Sequence, residues 1–152
     1  MTRRIAAGTF TLGLAALLAW PALTLLAERR GAAAERIVEM RSYNLKAGTR
    51  DRFHQLFLRE ALPMLRRWKV DVVAYGPSLH DDNSWYLMRA FPSLAERQTS
   101  EDAFYGSEEW KQGPREAILA DIESYTTVVL PFDEATIRAL RRNGPDSPSR
   151  RP

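Results

Sequence analysis

The run Ser84–Phe91 constrains the fold of this chain more than any other segment. Read as a strand, it alternates Trp85, Leu87, Arg89 and Phe91 with Tyr86, Met88 and Ala90, because successive side chains point to opposite faces of a sheet. Both faces are therefore largely aromatic or apolar, and such a strand needs cover on both sides. A second strand, Ile37–Leu45, places Glu39, Arg41 and Tyr43 on one face and Val38, Met40 and Ser42 on the other. The apolar set predicts a face bound by helices, and the charged pair with its phenol predicts the opposite face.

Between these strands, Lys46-Ala-Gly48 reads as a turn and a helix follows to about Arg67. Its stripe of Phe53, Phe57, Ala61, Met64, Leu65 and Trp68 suits a helix laid on a sheet. Pro63 interrupts the pattern and predicts a change of geometry in the last turns. Val70–Tyr75 has strand composition, and Gly76-Pro77 followed by His80-Asp-Asp-Asn83 predicts a hairpin into Ser84–Phe91. Ser93-Leu-Ala-Glu96 has the spacing of a helix capping box. Ser107 followed by Glu108 and Glu109 gives a second helix start, where the dipole favours acids. Gly113-Pro114 breaks this helical region, and Ile122–Phe132 is a long β-branched strand. The order β-α-β-β-α-β predicts an α+β, ferredoxin-like sandwich.

Such a sheet has both helices on one side. With Trp85, Leu87 and Phe91 assigned to the other side, that face is an aromatic association surface. The expected solution is a homodimer, with two sheets enclosing an interior that admits a small-molecule ligand.

The 152 residues suit one domain with appendages. Residues 1–34 hold an uncharged run from Ile5 to Ala27, preceded by Arg3 and Arg4 and followed by Ala32-Ala33-Ala34. This reads as a signal peptide or, if uncleaved, a membrane anchor. Either way residues 35–132 are expected outside the cytoplasm, periplasmic, secreted or anchored. The formal charge of +3 divides unevenly, since residues 1–34 carry four arginines and one glutamate, and 133–152 carry five arginines and three acids. The domain between is left slightly acidic, which argues against nucleic-acid binding. Residues 133–152 read as a basic, mostly disordered tail that begins with a possible short helix, Glu134–Arg142. Cysteine is absent, which removes disulfides, thiol nucleophiles and thiolate metal sites.

Four separated segments carry a resemblance. Val38-Glu-Met-Arg-Ser-Tyr-Asn-Leu-Lys-Ala-Gly48, Trp85-Tyr-Leu-Met-Arg-Ala-Phe91, Ser93-Leu-Ala-Glu-Arg97 and Ser107-Glu-Glu-Trp110 resemble the NIPSNAP domain, over roughly Arg36 to Phe132. That resemblance implies the dimeric α+β barrel and a cavity between sheet and helices. It implies no reaction.

His54, at the edge of the helix stripe, and His80, in the polar loop beside Asp81, are the candidate catalytic residues. Arg41 or Arg89 could hold a carboxylate or enolate oxygen, with Tyr43, Tyr75 and Trp85 as an aromatic wall. No histidine or acid spacing suits a metal, no dinucleotide, phosphate-loop or nucleophile motif occurs, and no cofactor is expected. Two functions follow. One is a homodimeric, exported or anchored small-ligand-binding domain. The alternative is a cofactor-independent monooxygenase or isomerase acting on an enolisable substrate.

Overall fold

The computed structural model describes residues 35–142. Four strands, β1 (Arg36–Leu45), β2 (Asp71–Pro77), β3 (Ser84–Phe91) and β4 (Ile122–Phe132), form one antiparallel sheet in the order β2-β3-β1-β4. Strands β1 and β3 are thus central. Glu39 lies opposite Arg89 on β3 and opposite Val129 on β4, and Tyr43 lies opposite Trp85 and Tyr125.

Helices α1 (Arg50–Leu56) and α2 (Leu62–Arg67) are joined by a π-helical turn, Phe57–Ala61. Pro63 explains the turn. It has no N–H to donate and its ring crowds the carbonyl four residues back. The wider turn relieves that crowding, and the Leu62 N–H bonds to the Phe57 carbonyl, five residues back. Helix α3 (Leu94–Gly106) starts at Ser93, whose hydroxyl accepts from the Glu96 N–H at 3.1 Å. Ser107 caps α4 (Glu108–Gln112) through the Trp110 N–H at 3.1 Å. At Gly113 a Cβ would lie 2.5 Å from the Glu109 carbonyl oxygen. Only glycine permits that close turn, which redirects the chain through Pro114 into α5 (Arg115–Asp121).

These helices cover one face of the sheet. The core beneath them gathers Tyr43, Leu45, Trp85, Leu87 and Phe91 from the strands with Phe53, Phe57, Leu65, Phe104 and Trp110 from the helices. Trp85 is its centre, 4.7 Å from the Phe57 ring and 5.0 Å from Phe53 between centroids. Helix α6 (Glu134–Arg142) returns across the other face, where fully buried Ile137 meets Val38, Val73 and Ala90. Asp133 starts this helix by accepting the Thr136 N–H at 2.7 Å. Asp71 on β2 then binds both Arg36 and Arg141, each at 2.7 Å.

This arrangement corrects the expected architecture. The sheet is open, with β2 and β4 as its edges, and it is not closed into a dimeric barrel. The homodimer, and the ligand chamber between copies, rested on a bare aromatic face. Trp85, Leu87 and Phe91 instead lie on the helix-covered face, together with Glu39, Arg41 and Tyr43. The chain's own α6 covers part of the opposite face, so the premise for that assembly is gone. The expected N-terminal export or anchor helix falls on residues 1–34, outside the described residues. Among the described residues no helix is long and apolar enough to cross a membrane, so the expected anchoring finds no support there.

Candidate functional site

The polar residues of β1 and β3 meet a matching set on α3. Residues 97, 101 and 105 are spaced four apart, so Arg97, Glu101 and Tyr105 share a helix face. Glu39 is fully buried and pairs with Arg89, itself 1% exposed, with Arg97, and with Arg41 through an Nε–Oε1 approach of 2.8 Å. Glu101 accepts from Arg41 Nη2 at 2.5 Å, lies 3.0 Å from Arg97 Nη2, and also pairs with Arg89. Three arginines thus surround two carboxylates, leaving one positive charge in excess. The Nε atoms of Arg41 and Arg89 are buried without an aligned acceptor, although Arg41 Nε is close enough to Glu39 for charge attraction.

The two acids respond differently to this setting. Burial pushes Glu39 up, but Arg89 beside it, their hydrogen bond and Arg41 outweigh that and hold it at about 2. Burial pushes Glu101 above its ordinary value despite Arg89 and Arg41. Burial also raises Tyr43.

Tyr105 turns this cluster toward open space. Its phenol oxygen accepts from Arg41 Nη1 at 3.0 Å and from Arg89 Nη1 at 3.2 Å. With two N–H groups on that oxygen, Tyr105 has its own O–H left to give, and no acceptor among the described residues takes it. Tyr105 and Arg41 both line a partly enclosed pocket of about 370 Å³. Its floor is Arg41 and Tyr43 of β1. Tyr105 and Trp110 form one wall, and Arg115, Ile118 and Leu119 of α5 with Ile122 and Tyr125 of β4 form the other. The Arg41 guanidinium lies 5.5 Å from the Tyr105 ring and 5.6 Å from Tyr125, within cation–π range of both. Behind the pocket, Tyr43, Phe57, Trp85 and Trp110 enclose an apolar void of about 40 Å³.

Of the residues singled out in the sequence, Arg41 and Tyr43 line the pocket, and Trp85 lines the void behind it. Arg89 does not line the pocket and is linked to it through Tyr105 and through the carboxylates it shares with Arg41. Tyr75 packs 5.0 Å from the Phe57 ring and 6.3 Å from Trp85, away from the pocket lining. The histidines are elsewhere. His54 Nδ1 accepts from the Trp85 indole N–H at 3.2 Å, and burial lowers its pKa, so it is a half-buried imidazole packed against the core. His80 is exposed in the hairpin loop, 3.9 Å from Asp81. Sequence reasoning missed Glu101 and Tyr105, for which the four-residue spacing from Arg97 is the available signal. It also missed Arg115, Ile118, Leu119 and Tyr125, which become a wall only once α5 lies beside β4. Among the described residues, no group of three or more His, Cys, Asp or Glu side chains is placed to hold a metal ion.

The NIPSNAP family model matches residues 38–132. A NIPSNAP family protein from Agrobacterium tumefaciens superposes with a TM-score of 0.61 at 17% identity, covering 68% of this chain and 90% of that one. An uncharacterised NIPSNAP-like domain protein from Burkholderia xenovorans gives 0.60 at 21% identity, covering 64% and 84%. A protein from Bacteroides thetaiotaomicron, named a candidate antibiotic biosynthesis monooxygenase, gives 0.50 at 10% identity, covering 64% and 89%. These likenesses establish a shared fold. No curated protein matches this chain.

Proposed function

This chain belongs to the NIPSNAP family, and from that premise we propose that it is a cofactor-independent enzyme, a monooxygenase or isomerase, that forms an enolate in the pocket beneath α5. The observation that carries this reading is the Tyr105 hydroxyl, which holds two arginine N–H donors on its oxygen and lines the pocket with its own proton unused. Donors fixed in place before charge develops stabilise an oxyanion without reorganising, and the two guanidinium contacts polarise the O–H further. Arg41 adds a full positive charge at the same place.

Both reaction types begin alike. A C–H bond next to a carbonyl breaks, its electron pair moves into the carbonyl oxygen, and the proton leaves. An isomerase returns a proton to a different carbon. A monooxygenase passes the electrons of the enolate to dioxygen, with one oxygen atom kept and the other leaving as water, all four electrons coming from the substrate. Neither His54 nor His80 lines the pocket, so neither is assigned as base. Water at the open side can accept the proton from a substrate whose C–H is already acidic, such as a benzylic ketone. The likeness to the Bacteroides protein supports the choice of this class through the fold alone.

The test follows exchange of the benzylic protons of 2-tetralone in deuterated buffer by NMR. The wild-type chain accelerates exchange above the buffer rate, and Tyr105→Phe reduces the acceleration by about 100-fold, the effect of removing one oxyanion donor. Acceleration that is absent in the wild type, or unchanged in Tyr105→Phe, contradicts the reading.

A further inference from the structure

We infer that the substrate of this pocket carries a carboxylate, held by Arg115 at the end of the pocket formed by α5. This deepens the enolate reading and rests on the same site. Two observations point to it. First, the pocket lining contains two guanidinium groups, Arg41 and Arg115, and no carboxylate. Second, the two arginines are in different electrostatic states. Arg41 is engaged by Glu39 and Glu101, whereas no carboxylate among the described residues pairs with Arg115.

The neighbouring charges favour an anion as well. The buried cluster holds Arg41, Arg89 and Arg97 against Glu39 and Glu101, so it already carries one excess positive charge. Arg115 brings a second. Asp121, on the same helix, is fully buried and taken up by Arg52, so it does not neutralise Arg115. Trp110 and Tyr125 add aromatic surface to the same pocket lining. A planar or aromatic ketone with a carboxylate remote from its carbonyl meets all of these features. Its carbonyl faces Tyr105 and Arg41, its ring lies against the aromatic walls, and its carboxylate reaches Arg115, whose planar fork suits two parallel hydrogen bonds.

The probes are 2-tetralone-6-carboxylate and its methyl ester, which keep one ring system and differ in charge. Calorimetric binding to the full chain and benzylic proton exchange are both measured. The carboxylate binds about tenfold more tightly than the ester in wild type, Arg115→Gln weakens it about fivefold, and the ester changes less than twofold. Arg59→Gln, which removes the same charge at another exposed position, leaves both affinities unchanged. Equal affinity of acid and ester, equal loss of both in Arg115→Gln, or no saturable binding below about 10 mM overturns the inference. The two readings fail separately. Charge-selective, Arg115-dependent binding without exchange upholds the carboxylate and removes the enolate step, while exchange that ignores both charge and Arg115 does the reverse.

Discussion

Replacing Glu39 by alanine lowers the unfolding free energy by about 3–5 kcal/mol, the range for breaking a buried charge network at one partner. Glu39 is fully buried and accepts from Arg89 and Arg97 while lying beside Arg41. Without it, three arginines remain around Glu101 alone, and the buried excess rises from one positive charge to two. Loss of packing volume does not account for a cost of this kind. The double variant Glu39→Leu/Arg89→Met separates the causes, because it removes one charge of each sign and returns the excess to one. It recovers most of the lost stability, as apolar replacement of buried pairs commonly does. Urea denaturation of the three proteins at neutral pH makes the comparison.

The same glutamate shapes the acid limb. Its pKa is about 2 in the fold, against an ordinary value of 4.5. A carboxylate lowered in this way contributes stability that is in place above about pH 4.5 and is lost as pH falls toward 2. Glu101 is raised by burial and acts in the opposite sense, contributing below its ordinary value and losing that contribution as pH rises. Burial raises Asp71 but its hydrogen bonds to Arg141 and Arg36 outweigh that, so Asp71 shares the fall in stability on acidification with Glu39, and the Glu39→Ala protein shows a flatter but still sloping profile between about pH 4.5 and 2.

The second large effect belongs to Trp85. It is 0% exposed and its ring contacts Tyr43, Phe53, Phe57 and Tyr75. Trp85→Ala costs about 3–5 kcal/mol through lost transfer energy and the void left among rings that cannot all collapse inward. The void joins the existing 40 Å³ space. It also removes the indole donor from His54 Nδ1. His54 is lowered chiefly by burial, so opening the core to water moves its pKa back up toward 6.5. Thermal unfolding reads the first effect and an NMR titration of the imidazole reads the second. Trp85→Phe keeps much of the ring volume and costs less.

The two strands that carry these residues show what a sequence can and cannot reveal. Alternation in Ile37–Leu45 separates Glu39, Arg41 and Tyr43 from Val38, Met40 and Ser42, and that separation is real in the fold. It does not say which set meets the helices. Hydrophobicity assigns the apolar set, whereas the structure buries the charged set, because α3 supplies Arg97, Glu101 and Tyr105 as partners. Burial of a charge depends on its partners, and partners sixty residues away are invisible to a local pattern. The same inversion puts Trp85, Leu87 and Phe91 on the wrong face and leads to the homodimer, to which the family resemblance added the barrel. Local signals fared better where the physics is local. Ser93 and Ser107 cap their helices, and Pro63 sits where the helix changes its hydrogen-bond spacing. Arg41 and Tyr43 were legible as neighbours because a cation and a phenol on one strand face share a direction, and both line the pocket. Tyr105, Arg115 and Tyr125 come from three other elements, and only the turn at Gly113 brings α5 beside them.

We propose that Arg41 and Tyr105 stabilise an oxyanion in the pocket, and 2-naphthol tests this without requiring turnover. Its hydroxyl mimics an enol and its anion an enolate, and the two forms differ in absorbance. Bound to the wild-type chain, 2-naphthol ionises at a pH lower than in solution by about one unit or more, and the shift is lost in Tyr105→Phe and Arg41→Met. Bound naphthol that ionises at or above its solution value contradicts the account.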